Sequence, residues 1–178
     1  MVRGSFAVLI MPLLPAAAAG HEPHSHGRAT LALVADGTML TAEFRTDQHT
    51  LVGFEGEPGN PRERALLDDV LQSLSAQGAL YTIEGRQACQ RTGDVGWRVA
   101  PPPGPLSSTA KQDVHGNAHT DYILTETLAC GSHARIEKVT LRAFDALGSL
   151  ERVDVTVLTD DQQGAGVATH DSPAVGFR

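Results

Sequence analysis

Two runs near the start of the chain, Ala29 to Val34 and Met39 to Thr46, alternate apolar and polar positions with a period of two. That period puts each apolar set on one face of an extended strand. Asp36-Gly37 lies in the tight turn between them and predicts a β-hairpin. Leu51 to Glu55 is a short apolar stretch that enters a Gly/Pro/Asn loop at Gly56 to Asn60. The period then changes. Leu66, Leu67, Val70, Leu71 and Leu74 recur at helical spacing and predict a helix over about 61–77. Asn60 can cap it, Pro61 suits its first position, Glu63 lies in its first turn and Gly78 ends it.

Beyond this helix the pattern is again β. Leu80 to Glu84, Val95 to Val99, His119 to Ala129, Ile136 to Phe144 and Leu150 to Leu158 read as strands. Asp160 to Gly164 is a turn, and one or two edge strands fit from Val167 onward. A loop at about 100–117, carrying Pro101-Pro102-Pro103-Gly104-Pro105, is too rich in proline for regular structure. No internal repeat is visible. The predicted class is α+β, mainly an antiparallel β-sheet or sandwich with one main helix.

Residues 1–19 stand apart from this pattern. Arg3 precedes an apolar stretch from Phe6 to Leu14, Pro15 breaks it, and Ala17-Ala18-Ala19 offers small residues for cleavage. This is the layout of a secretory signal peptide, and the stretch is shorter than the roughly 20 residues a membrane helix needs. The expectation is a leader over 1–19 and a single domain over 20–178, exported and not inserted in the membrane after cleavage. Cys89 and Cys130 both fall in that domain. In an oxidising compartment such a pair closes a disulfide, here around a loop of about 40 residues.

Charge narrows the partners. The net charge of the 178-residue chain is −7 with histidine neutral, and no basic run occurs. Nucleic acid and anionic membrane are therefore excluded as partners, since both need clustered Lys and Arg. His-Glu-x-x-His, Gly-x-Ser-x-Gly and phosphate-loop spacings are all missing, so no enzyme activity is expected.

Histidine is the residue with candidate chemistry. Five of the eight histidines fall in two short segments: His21, His24 and His26, then His115 and His119, with Asp121 just beyond. In extended chain, residues two apart share a face, so His24 pairs with His26 and His119 with Asp121. Two such pairs brought together would supply four ligands. Imidazole serves zinc, copper and nickel, and a carboxylate can complete a tetrahedral zinc site. His49 and His133 stand singly and read as surface residues, and His170 sits in a polar turn. A copper- or nickel-handling protein, and a partner-binding module that has lost its metal, are the alternatives to zinc.

The quoted residues also carry a resemblance. His24-Ser25-His26-Gly27 leads into Ala29 to Leu33, followed by Asp36-Gly37 and the string Leu51-Val52-Gly53-Phe54-Glu55. His119-Thr120-Asp121-Tyr122 then leads through a strand to Cys130, with Cys89 upstream. Over nearly the whole exported chain this resembles the bacterial zinc-regulated periplasmic zinc-binding proteins, the ZrgA-like family. The resemblance implies a periplasmic zinc binder that assists zinc acquisition, acting beside a zinc ABC importer or its binding protein. It implies His24, His26, His119 and Asp121 as ligands, with His115 nearby, and Cys89–Cys130 as the disulfide. Two departures limit the expectation to a single site. The loop before the His-x-Asp strand is rich in proline rather than in His, Asp and Glu, and Gly56 stands where members often carry histidine.

Overall fold

The computed structural model describes residues 26–85, 88–93, 95–100, 120–131 and 135–178. The expected leader at 1–19 and most of the proline-rich loop lie outside them. The hairpin forms as its alternation predicts: β1 (Arg28–Asp36) pairs antiparallel with β2 (Met39–Asp47), from Ala29↔Thr46 to Asp36↔Met39. A five-residue helix follows, α1 (Gln48–Val52), and then the main helix, α2 (Pro61–Leu74). The remaining elements are β3 (Tyr81–Gly85), β4 (Gln90–Arg91), β5 (Gly96–Ala100), β6 (Asp121–Ala129), β7 (Ile136–Leu141), α3 (Ala143–Ala146), β8 (Arg152–Leu158), β9 (Gln163–Thr169) and β10 (Ala174–Gly176).

The strands form two sheets. The larger runs β4-β6-β2-β1-β8-β9, with β5 also on β6, and the smaller runs β10-β7-β3. Pairing is antiparallel except between β1 and β8. This is the α+β, mainly antiparallel architecture that the periodicity predicts.

Alternation decides what is buried. Leu31, Leu33, Leu40, Ala42, Phe44, Leu124, Val153, Val155 and Val157 face inward and are at most 2 % exposed. Register aligns them in rows: Leu124, Phe44, Leu31 and Val155 succeed one another across β6, β2, β1 and β8. Gly166 ends this row on β9. A Cβ there would come within 2.3 Å of Val175 Cγ1, so only glycine lets β10 close over this end of the core.

Several elements differ from the sequence expectation, α1 and the start of β9 among them. The strand predicted to reach Phe144 stops at Leu141, because the Arg142 and Ala143 amides both donate to the Leu80 carbonyl, at 2.8 and 2.9 Å, and turn the chain into α3. The main helix ends at Leu74 rather than Gln77. There the Ser75 hydroxyl donates to the Leu71 carbonyl at 2.7 Å and the last turn tightens. Strand β4 has only two residues, too few for any periodicity. It is anchored by the disulfide between Cys89 and Cys130, which the cysteine pair predicts.

One buried polar network ties the two sheets together. Glu126 occupies an inward position of β6, opposite Ala42. The Tyr81 hydroxyl on β3 donates to its Oε1, and Arg91 Nε on β4 donates to its Oε2 at 2.7 Å. Arg91 also donates to the Ser75 carbonyl at the end of α2, at 2.9 Å. Burial, then the hydrogen bond to Glu126 and its negative charge, push the Tyr81 hydroxyl far above the ordinary phenol value, with Arg91 opposing. The folded protein therefore keeps this proton where an unfolded tyrosine loses it, near pH 10. The contribution of Tyr81 is complete below about pH 10 and lost as the pH rises further. Urea midpoints measured between pH 8 and 11 should fall above pH 10, and Tyr81→Phe should flatten the fall. Equal slopes in both proteins would contradict this.

Candidate metal centre

The ends of three strands meet at one edge of the larger sheet. Arg28 begins β1, Asp47 ends β2 and Asp121 begins β6, and antiparallel pairing puts Asp47 directly opposite Asp121. Helix α1 starts here because Asp47 caps it. Its Oδ1 accepts from the Thr50 amide at 2.8 Å and its Oδ2 from the Thr50 hydroxyl at 2.7 Å. Two residues after Asp47, within the first turn, α1 presents His49 beside its own cap.

His26 reaches the same point through Gly27. Gly27 has φ +79°, its amide donates to Thr50 Oγ1 at 2.9 Å, and a Cβ would lie 2.8 Å from the Ser149 carbonyl. This left-handed, crowded turn suits glycine alone and brings His26 over α1. His26 Nδ1 lies 3.4 Å from Asp47 Oδ1 and 3.8 Å from Glu55 Oε1. The rings of His26 and His49 are 4.2 Å apart between centroids.

His26, Asp47 and His49 each offer one donor atom, and those atoms all lie within 4.8 Å of one another. Two ligands about 2.1 Å from one ion at the tetrahedral angle are themselves about 3.4 Å apart. The His26–Asp47 separation has that value. His49 Nδ1 is buried and has no hydrogen-bond partner among the described residues. An orphaned imidazole nitrogen is costly unless something occupies it, and a cation does so. Two imidazoles and a carboxylate are a donor set that suits zinc. The Asp47 carboxylate is already aimed by Thr50, an outer contact of the kind that positions metal ligands.

The expected ligands fare differently. His26 belongs to the cluster. His24, His115 and His119 lie outside the described residues. Asp121 sits across the strand pair from Asp47, but its carboxylate accepts from Arg45 Nε at 2.9 Å and from a second Arg45 nitrogen at 2.5 Å. The lone-histidine reading of His49 as a surface residue is corrected: it is half-buried and within the cluster. Asp47 carried no expectation at all. The available signal was Asp47-Gln48-His49 at the end of an alternating strand, where a capping carboxylate and a histidine fall within one helical turn.

No curated protein matches the chain. Residues 23–177 match the profile of the ZrgA family of zinc uptake proteins, a span that includes every strand of both sheets and all three members of the cluster. The chain belongs to the ZrgA family.

Proposed function

We propose that this chain is a periplasmic zinc-binding protein that captures zinc at His26, Asp47 and His49 and passes it to a zinc ABC importer or that importer's binding protein. The observation that carries this reading is the convergence of two imidazoles and a carboxylate in a member of a zinc uptake family. In this role the protein is a carrier and not an enzyme, and zinc is its cargo. Export is supported by the leader-like residues 1–19 and by the Cys89–Cys130 disulfide, which an oxidising compartment maintains. No helix among the described residues is long and apolar enough to cross a membrane. His24, His115, His119 and Asp121 are proposed as further zinc donors.

Zinc titration of the untagged protein against a competing chelator tests the reading. One site is expected, and His49→Ala should weaken it by at least about tenfold, since even outer contacts to a metal contribute that much. A wild-type protein with no zinc binding above background would end the proposal. Copper must be compared in parallel with expression under zinc and copper limitation, because Cu(II) binds almost any histidine site more tightly than zinc in vitro.

A further inference from the structure

His26 and Asp47 stand on segments far apart in the chain, and one side chain bonds to both segments. We propose that Thr50 is the positioning residue of the centre, its hydroxyl locking the His26 and Asp47 segments together before the metal arrives; this rests on the zinc-binding reading above. A threonine hydroxyl has one proton to give and lone pairs with which to accept. Here the proton goes to Asp47 Oδ2 at 2.7 Å, and a lone pair accepts from the Gly27 amide at 2.9 Å. Thr50 is only 1 % exposed, so both bonds are sheltered from water. Its carbonyl accepts from the Ser149 hydroxyl at 2.8 Å, which ties α1 to the segment leading into β8. Gly27, the neighbour of His26, is held from its other side as well. Its carbonyl accepts from the Glu151 and Arg152 amides at 2.7 and 3.0 Å.

The same bonds decide how Asp47 presents itself. The Thr50 hydroxyl engages Oδ2, while Oδ1, which accepts from the Thr50 amide at 2.8 Å, is the oxygen 3.4 Å from His26 Nδ1. With Oδ2 engaged, Asp47 meets the centre through Oδ1 and serves as a one-oxygen ligand. Without the hydroxyl, the carboxylate is free to turn about its last bond and to lose that aim. The spacing of His26 and Asp47, which matches two ligands on one tetrahedral ion, is thereby built into the metal-free fold. Ligands already in place leave less ordering to be done when the ion binds, and affinity gains by that amount.

Zinc titration of untagged wild type, Thr50→Val and Thr50→Ser tests the assignment, at a temperature where thermal melting shows each metal-free protein fully folded. Valine keeps the shape of threonine and removes the hydroxyl, whereas serine keeps the hydroxyl. Thr50→Val should weaken zinc binding by about 10- to 100-fold, the range for loss of an outer contact to a metal. Thr50→Ser should bind zinc nearly as the wild type does. Destabilisation alone does not change the affinity of a protein that is still fully folded. A merely structural threonine would therefore lower the melting temperature of Thr50→Val and leave its zinc affinity unmoved. That result, or equal weakening in Thr50→Ser, overturns the proposal while leaving the zinc site at His26, Asp47 and His49 standing. Failure of the wild-type protein to bind zinc would remove both. Should Thr50→Val not fold, hydrogen exchange in the metal-free wild type decides. The Gly27 amide should already be protected there, because its acceptor is in place before zinc is added. Exchange of that amide at the rate of open chain, slowing only once zinc is bound, overturns the assignment.

Discussion

Arg91→Ala should destabilise the protein by about 3–5 kcal/mol, the range for removing one partner of a buried ion pair. The side chains of Arg91 and Glu126 are 17 % and 7 % exposed, and their charged atoms approach to 2.6 Å. Truncating the arginine leaves the Glu126 carboxylate inside the core with Tyr81 as its remaining hydrogen-bond donor among the contacts described above. It also strips the Ser75 carbonyl at the end of α2 of its guanidinium donor. Against a total stability of about 5–15 kcal/mol for a domain of this kind, the loss is large. Urea denaturation of wild type and variant measures it. A change below about 1 kcal/mol, the level of an exposed pair, would mean that water reaches Glu126 and that the network is not buried. Replacing both partners by apolar residues, Arg91→Met with Glu126→Leu, should recover much of the loss, because the desolvation cost disappears with the charges.

The second large effect is expected from the disulfide. Cys89 and Cys130 are 41 positions apart, and closing a loop of that size restricts the unfolded chain by about 4 kcal/mol in the chain-entropy account. Reduction, or Cys89→Ser with Cys130→Ser, should lower the urea midpoint accordingly. An unchanged midpoint would mean that the segment is already restricted in the unfolded state. The two effects should not add. Cys89 immediately precedes β4, which carries Arg91 and has only two residues paired with β6. Without the disulfide, β4 is held to β6 by its two paired residues, the Thr92 amide on the Thr127 carbonyl and the Arg91–Glu126 pair, which loosens as the strand frays. A double-mutant cycle between Arg91→Ala and the cysteine pair should therefore show a coupling of about 0.5–3 kcal/mol, the range for residues in one network. Additivity would show that β4 holds its place unaided.

This coupling shows how far sequence reading reaches. The hairpin of β1 and β2, helix α2 and strand β8 were each legible because a long periodic run has one satisfactory burial. Slipping β2 by one residue would turn Leu40, Ala42 and Phe44 outward together. Strand β4 has no period, and its position depends on a covalent bond and an ion pair made with distant residues. Helices α1 and α3 were missed for a related reason. Each is a single turn, and a nucleus of that length is unfavourable by itself. They exist because Asp47 caps α1 through Thr50 while the Thr120 carbonyl and the Ser149 hydroxyl bond to it, and because the Leu80 carbonyl turns the chain into α3.

The candidate site divides along the same line. Composition and histidine placement pointed to a metal, the family resemblance pointed to zinc, and His26 was among the residues named. Asp47 and His49 were not. A ligand set is a statement about distances in space, and the other two members of this one lie 21 and 23 positions along the chain from His26. Antiparallel pairing brings the start of β1 and the end of β2 to one edge, and the turn at Gly27 aims His26 across it. The cap that starts α1 then fixes the Asp47 carboxylate beside His49. Local pattern determined the strands, the main helix, the cysteine pair and the kind of chemistry. Tertiary structure decided which histidines meet, because the single turn that carries His49 holds its shape only through contacts with the rest of the fold.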